Sequence, residues 1–289
     1  MIYHYVECDY IDYDFTGVPR FDYELHKAIP ELITISKKRG KLPQLTNKDV
    51  VITSADFSLE IPENVKCIAV THGVAKVHID REPTWPGQLY VNNQLKLKNK
   101  DNLFFISVSD FTSYYYKKCY NIDIYKKILH SVDTKPIIST INKSNNIIGD
   151  WRNNNKGKYI IDKLKKINRF NFNTLKCGPY NKSEAYSQNS IYLSLSLSEG
   201  NSYSILDAIA CGLPVLSTNV GLFYNDNMAG CGEVINYKDR NNINIVLDKL
   251  EYMYDNYDNY DTVSWLHNTI PFNVWCEEWK YLLNEIMQI

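Results

Sequence analysis

Two carboxylates, Glu199 and Asp207, flank a glycine- and serine-containing loop in the stretch SEGNSYSILDAIACGLPVLSTNVG, residues 198–221. The loop, Gly200–Ser204, follows a predicted strand and precedes a predicted helix, so its backbone N–H groups and the helix dipole can bind an anion. The glycine at its start allows a ligand to approach the backbone closely. Asp207, about one turn into the helix, can accept hydrogen bonds from a vicinal diol such as that of a ribose. The spacing therefore favours a phosphorylated sugar over a metal ion or a peptide, although it also fits two acids that are merely solvated or capping.

The elements that position this loop are predicted from short Val- and Ile-rich runs that alternate with helical patterns, which indicates βαβ units and parallel sheets. The predicted strands are Ile2–Val6, Leu32–Ser36, Val50–Thr53, Cys67–Thr71, Phe104–Val108, Ile128–His130, Ile147–Ile148, Leu175–Cys177, Ile191–Leu197 and Val215–Thr218. The predicted helices are Phe21–Ile29, Phe111–Cys119, Lys158–Ile167, Ser183–Gln188 and Tyr203–Cys211. The fold class is therefore α/β, and the turn- and linker-like residues 134–146 predict a boundary between two domains.

Two apolar stripes predict how the helices pack. In Lys158–Ile167 the spacing predicts one apolar face made of Ile160, Ile161, Leu164 and Ile167. A wider stripe near the C-terminus predicts a helix that buries it against a large surface; its residues are Phe272, Trp275, Trp279, Leu282, Leu283 and Ile286.

Composition excludes several classes of function. The 289 residues carry a net charge of −1, so no strong field draws the protein to nucleic acid or to an anionic membrane. No apolar run is long enough to span a membrane, and the N-terminus does not resemble a signal peptide. The basic run Lys37–Lys41 could touch anionic lipid but more often such a run is solvated, so membrane contact is at most peripheral. Seven scattered cysteines without a C-x-x-C pair predict reduced thiols in the cytoplasm and no metal site.

The residues around the two acids resemble a known family. The pattern S-E-G-x-S-x-x-x-L-D-A-x-A-C-G-L-P-V-L-x-T-x-V-G is similar to the E-x7-E region of family 4 glycosyltransferases, which are retaining enzymes of the GT-B fold. This resemblance implies that Glu199 lies against the donor sugar and that Asp207 takes the family's second acid position, on the ribose. The family has Glu where this chain has Asp207, whose side chain is one methylene shorter.

Other segments also resemble this family and occur in the expected order along the chain. Gly149–Gly157 resembles its G-R-x(n)-K-G segment, which implies that Arg152 and Lys156 hold the donor diphosphate, although Arg152 is offset by one residue. His72, after the predicted strand Cys67–Thr71, resembles the family's histidine on the acceptor side near the reacting carbon. Gly17 resembles the glycine-rich loop after the first strand, which faces the donor phosphates.

The resemblance implies a GT-B protein with two Rossmann-like domains facing a cleft: an acceptor-side domain at 1–134, a nucleotide-sugar domain at 135–270, and a helix at 271–289 that crosses back. It implies transfer of a hexose from a nucleotide sugar to a glycan, lipid or protein-linked acceptor with retention of configuration, without a metal or other cofactor and without nucleic acid. The expected catalytic residues are His72, Lys156 and Glu199. The expected donor-binding residues are Gly17, Arg152, Lys156, Glu199, Gly200, Asn201, Ser202, Tyr203, Ser204 and Asp207.

Two alternatives remain open at this point. The first is a non-catalytic GT-B module that binds a nucleotide sugar or a glycan and supports a partner enzyme, which the short N-terminal domain and Asp207 favour. The second is another GT-B enzyme, such as a nucleotide-sugar epimerase or a phosphorylase, for which the chain shows neither a lysine–cofactor motif nor a clear epimerase acid pair.

Overall fold

The structure is a computed structural model that describes residues 1–7, 17–134, 143–175, 182–225 and 228–289. The strands are β1 (Ile2–Val6), β2 (Ile33–Ser36), β3 (Val50–Ser54), β4 (Lys66–Thr71), β5 (Leu103–Ser107), β6 (Lys126–Lys127), β7 (Asn146–Gly149), β8 (Asn171–Thr174), β9 (Ile191–Ser194), β10 (Val215–Thr218) and β11 (Gly232–Ile235). The helices are α1 (Val18–Ala28), α2 (Ala75–Arg81), α3 (Gln88–Lys96), α4 (Asp110–Tyr120), α5 (Lys158–Leu164), α6 (Lys182–Ser187), α7 (Tyr203–Ala210), α8 (Ile243–Asp255), α9 (Thr262–Thr269) and α10 (Phe272–Gln288).

The strands form two sheets, one of six strands in the order β2-β1-β3-β4-β5-β6 and one of five in the order β11-β10-β9-β7-β8. All the described strand pairs are parallel. The carboxyl ends of the strands in each sheet therefore meet at one edge, where the loops that carry chemistry are placed. The predicted α/β class with parallel sheets is confirmed.

The chain divides into two compact units. The first contains Met1–His130, Ser198–Asn201 and Asn273–Ile289, and the second contains Ser131–Leu197 and Ser202–Phe272. The first unit therefore includes a four-residue piece of the E-x7-E stretch and almost all of α10. Within the predicted boundary region, residues 135–142 lie outside the described part of the chain.

The core of the first unit is rich in aromatic rings. On α1, Phe21 has its ring centroid 5.6 Å from that of Trp279 and 6.4 Å from that of Trp275, both on α10. The α10 residues of the predicted C-terminal stripe, apart from the half-buried Phe272, are buried: Trp275, Trp279, Leu282, Leu283 and Ile286. The first unit thus depends on α10, which the chain reaches last.

The second unit packs α5 and α8 around the central strand β9. Ile160, Ile161 and Leu164 are buried, as the spacing predicts, but Ile167 is 47% exposed. The prediction for Ile167 is wrong because Lys165–Ile167 forms a 3₁₀ turn, whose tighter winding rotates this side chain away from the apolar face.

Most predicted elements have counterparts, but some bounds differ. The predicted strand Leu175–Cys177 is replaced by β8, four residues upstream, and Cys177 lies outside the described residues. The predicted strand Ile128–His130 is replaced by β6, two residues upstream, and the strand predicted to reach Leu197 ends at Ser194. The prediction missed α2, α3, α8, α9 and β11.

Candidate active site

In the first unit, the segment Ser198–Asn201 is held at the carboxyl ends of β4 and β5. A Cβ atom built on Gly200 would lie 2.0 Å from the backbone oxygen of His72, so the close approach that glycine permits here is made by the protein's own backbone. The side-chain amide of Asn201 donates a hydrogen bond to the backbone oxygen of Val108, at 3.2 Å. The half-buried Glu199 therefore directly precedes two residues that are fixed against this sheet.

His72 directly follows β4 and belongs to a cluster of rings in the same unit. Its ring stacks on that of His130 at 5.4 Å and meets that of Phe21 edge-on at 4.9 Å. Phe21 also contacts His130 at 5.1 Å. The Nε2 atom of His72 is buried and has no hydrogen-bond partner among the described residues. The structure thus brings two predicted site residues together, because His72 is also the residue against which Gly200 packs.

Burial controls the protonation of these histidines. It lowers the pKa of His72 to about 3, with a smaller contribution from the charge of His4. Burial also lowers the pKa of His130 well below its usual value, and the charge of His72 acts in the same direction. His72 is therefore a neutral imidazole at neutral pH, able to hydrogen-bond a hydroxyl group but unable to act as a cation.

Gly17 caps the amino end of α1 with φ of +66°, in the region that favours glycine, and residues 8–16 before it lie outside the described part. Its backbone oxygen accepts hydrogen bonds from the N–H groups of Arg20 and Phe21. Gly17 thus caps the helix whose Phe21 contacts His72.

In the second unit, Lys156 sits in a tight turn before α5. Its backbone N–H donates to both the backbone oxygen and Oδ1 of Asn153, each at 3.1 Å. Gly157, with φ of +88°, starts α5 and packs so closely that a Cβ atom there would lie 2.7 Å from the Cβ of Leu195. The side chain of Lys156 is half-buried, and the turn fixes its backbone.

Arg152 is paired with a neighbouring carboxylate. Its side chain is 58% exposed and makes a two-point contact with Asp150, with Nε–Oδ1 at 2.7 Å and Nη2–Oδ2 at 2.8 Å. This carboxylate offsets much of the charge of the guanidinium.

Helix α7 begins after Ser202, whose side chain does not cap it: its hydroxyl instead lies 3.0 Å from that of Ser204. The backbone oxygen of Ser204 accepts a hydrogen bond from Tyr186. Tyr203 is buried, and Asp207 is 0% exposed. Ser202 and Ser204 are therefore held by contacts within the second unit. Asp207 is more deeply buried than expected for a residue that meets a ribose.

Sequence reasoning missed three residues that shape these regions: Phe21, His130 and Arg240. The ring contacts of Phe21 and His130 with His72 join residues far apart in the chain, so no local pattern reveals them. Arg240, in the turn between β11 and α8, donates to three backbone oxygens of the second unit. A lone arginine in a polar turn normally indicates only a solvated cation.

No group of three or more His, Cys, Asp or Glu side chains within the described ranges is placed to hold a metal ion. The five cysteines that the structure describes are free thiols, and Cys8 and Cys177 lie outside it. No helix in the described part is both long and apolar enough to cross a membrane.

Comparison with known proteins places this geometry in a family. Residues 92–243, more than half of the chain, match the family described as Glycosyl transferases group 1. The chain belongs to this family. The match covers the Lys156 turn and the whole of the Glu199–Asp207 stretch, so the prediction of a glycosyltransferase from those motifs is confirmed. No curated protein sequence matches the chain.

Solved structures agree on the fold of this group 1 glycosyltransferase. Sucrose-phosphate synthase from Thermosynechococcus elongatus superimposes with a TM-score of 0.81 at 10% identity, over 100% of this chain and 99% of that one. Anabaena Alr3699/HepE, in complex with UDP and glucose, gives 0.70 at 11% identity over 98% and 99%. The pneumococcal O-GlcNAc transferase GtfA, in complex with UDP and GlcNAc, gives 0.62 at 16% identity over 85% and 58%. The predicted GT-B fold is confirmed.

Proposed function

We propose that this group 1 glycosyltransferase transfers a hexose from a nucleotide sugar to a hydroxyl group of a glycan, lipid or protein-linked acceptor, with retention of configuration at the anomeric carbon. UDP-sugars are the first donors to test, because the structures of HepE and GtfA to which the chain is similar contain UDP.

One observation carries this proposal. The segment of Glu199 is fixed against the backbone of His72 and Val108, at the carboxyl ends of two adjacent parallel strands. Ligands of parallel α/β sheets bind at such strand ends. Two of the three predicted catalytic residues, Glu199 and His72, thus belong to the same edge of one sheet.

The proposed roles follow from the chemistry of each side chain. Lys156 binds the donor diphosphate and stabilises the negative charge that develops on it when the sugar leaves. Glu199 accepts hydrogen bonds from hydroxyl groups of the donor sugar, and the loop Gly200–Ser204 supplies backbone N–H groups for the phosphates. Asp207 is proposed to hold the ribose, a role that requires its buried carboxylate to become accessible.

The proposed reaction is a front-face displacement. The bond between the anomeric carbon and the leaving phosphate oxygen breaks while the acceptor oxygen forms a bond on the same face. The leaving phosphate takes the proton of the acceptor hydroxyl, so the reaction needs no basic side chain. The low pKa of His72 suits this scheme, because a neutral imidazole hydrogen-bonds a sugar hydroxyl without competing for the proton.

Nucleotide release measured with a panel of UDP-, GDP- and ADP-sugars tests the proposal. We expect release with at least one donor and acceptor, and a loss of about 10²-fold or more in Lys156→Ala and in Glu199→Ala, the scale of removing one preorganised charge. Lys158→Ala is a matched control, because Lys158 lies two residues away, is exposed and pairs with Asp162. Glu184→Ala, at an exposed glutamate on α6, is the control for the acid. Wild-type turnover in either test variant would refute the roles assigned here.

Two finer points have their own tests. Retention predicts that the anomeric configuration of the product, read from the proton coupling constant by NMR, equals that of the donor. Charge stabilisation by Lys156 predicts turnover that is unchanged by EDTA. An inverted product would exclude the front-face scheme, and loss of activity in EDTA that Mg²⁺ restores would show that Lys156 does not suffice.

A second candidate is a binding module without turnover, which is favoured by the complete burial of Asp207. Such a module would show an increased melting temperature with a nucleotide sugar but no nucleotide release with any acceptor. A transferase shows both.

A further inference from the structure

Arg240 is a buried cation. Arg240 is only 6% exposed, although it lies in the turn between β11 and α8. Its Nη1 atom donates to the backbone oxygens of Asn155, at 2.9 Å, and of Leu195, at 2.5 Å. Its Nη2 atom donates to the backbone oxygen of Asn154, at 3.1 Å. A buried charge is costly unless hydrogen bonds compensate for it, and the rigid fork of a guanidinium can serve several carbonyl groups at once.

These three carbonyl groups lie next to Lys156 and at the end of β9. Asn154 and Asn155 are the two residues before Lys156, and Leu195 directly follows β9. The oxygen of Asn155 also accepts the N–H of Leu197, at 3.0 Å. Arg240 and Leu197 together therefore tie the turn that carries Lys156 to the chain that leaves β9, three residues before Ser198.

Two further contacts restrict the position of this turn. Gly157 packs against Leu195 without room for a side-chain carbon, and the N–H of Lys156 is bonded back to Asn153. Loss of the guanidinium would remove the hydrogen bonds that Arg240 donates to the oxygens of Asn154 and Leu195. The turn would then either shift or bind water molecules at these oxygens.

We propose that Arg240 is a positioning residue that fixes Lys156 for the donor diphosphate. It acts through the carbonyl groups of Asn154, Asn155 and Leu195 and not by touching the donor. This inference rests on the proposed function in one respect, the binding of the diphosphate by Lys156. Its prediction is that Lys156 contributes to nucleotide affinity only while Arg240 is present.

A double-mutant cycle tests this dependence, with the dissociation constant of UDP measured by calorimetry on the full chain. We expect Arg240→Gln and Lys156→Ala each to weaken UDP binding by about tenfold or more, and the double variant to be no more than about twofold weaker than Lys156→Ala. Arg240→Lys should rescue only part of the loss, because an ammonium group cannot present the planar fork. Arg169→Gln, at an exposed arginine of the same unit that pairs with Glu251, should bind UDP as the wild type does. Losses that multiply in the double variant would overturn the proposal, since a merely destabilising change acts independently of Lys156.

A second measurement needs no ligand. Hydrogen exchange of peptides covering 153–157 and 195–197 should be at least about tenfold faster in Arg240→Gln than in the wild type or in Arg169→Gln. Unchanged exchange in those peptides, with UDP binding intact in the wild type, would overturn the positioning role alone. If the wild type binds none of UDP, GDP and ADP, the proposed function fails, and with it the role of Lys156. Should Arg240→Gln not fold, Arg240→Lys enters the same cycle and the same exchange measurement.

Discussion

Replacing Gly200 by alanine tests whether the segment of Glu199 is held as closely as the structure indicates. The added Cβ would lie 2.0 Å from the oxygen and 2.7 Å from the carbonyl carbon of His72. These are backbone atoms at the end of a buried strand, so they cannot swing aside as a flexible side chain can. Real Cβ atoms stay beyond 3.0 Å from such neighbours, so the segment must move by about 1 Å or more.

The expected cost follows from this overlap. Overpacking a close contact costs about 1–3 kcal/mol. Alanine also reduces the freedom of the unfolded chain, which offsets about 0.4–1 kcal/mol. We therefore expect Gly200→Ala to be less stable by about 1–2 kcal/mol. If the segment relieves the overlap by moving, the displacement of Glu199 should instead lower transfer by up to about 10²-fold.

Gly40→Ala is the matched control, because a Cβ atom at Gly40 has nothing within 4 Å and the residue does not have positive φ. Both variants are unfolded in urea and followed by circular dichroism, and hydrogen exchange of peptides from β4 and β5 reports the first unit separately. Nucleotide release is measured on the same samples. If Gly200→Ala equals Gly40→Ala in both stability and turnover, the contact between Gly200 and His72 is not as close as described.

Three further predictions concern other parts of the chain. Stability should fall as the pH drops below about 6.5, because the unfolded chain binds a proton that His72, with its pKa lowered to about 3, does not; at pH 5 this amounts to about 2 kcal/mol, and an equal loss between pH 7.5 and pH 5 in His72→Asn would contradict it. Asn242→Ala should cost about 1 kcal/mol in urea unfolding, since its side chain caps α8 by accepting from two backbone N–H groups, whereas Asn241→Ala should be neutral. Gly157→Ala should be both less stable and weaker in UDP binding, because its positive φ and its contact with Leu195 oppose a side chain; UDP affinity equal to that of the wild type would argue against a close packing of this turn.

The sequence predicts an element well when the residue pattern of the segment matches its burial in the fold. The bounds of β1 and β10 are the predicted ones, and α7 starts at the predicted residue. Both strands are rich in apolar or β-branched residues, and α7 is followed by Gly212 and Pro214, which end a helix.

Edge strands are less predictable. The residues of β8, NFNT, are mostly polar because this strand lies at the edge of its sheet, where only Phe172 is buried. A search for apolar runs therefore selects the following Leu175 instead. β6 has two lysines and likewise lies at an edge. In both cases the position in the sheet, which is a property of the whole fold, determines which residues are tolerated.

The candidate site shows the same division. The residue types and spacing of Glu199, Gly200 and Lys156 follow from local chain geometry, so a motif reveals them. The contacts that hold them, from His72 to Gly200 and from Arg240 to Asn155, join residues separated by 85 positions or more. Such contacts depend on the packing of whole elements, and a single sequence carries no signal for them.

The late position of α10 in the chain has a consequence for synthesis on the ribosome. Residues 131–272 separate His130 from the last segment of the first unit, and 142 residues take roughly 7–28 s to translate at 5–20 residues per second. During that interval Phe21 lacks its contacts with the indole rings of Trp275 and Trp279. Its aromatic surface therefore stays exposed to water, while the second unit can already fold. Chaperones that recognise such surfaces would therefore bind the N-terminal part of the nascent chain and release it once α10 has been synthesised.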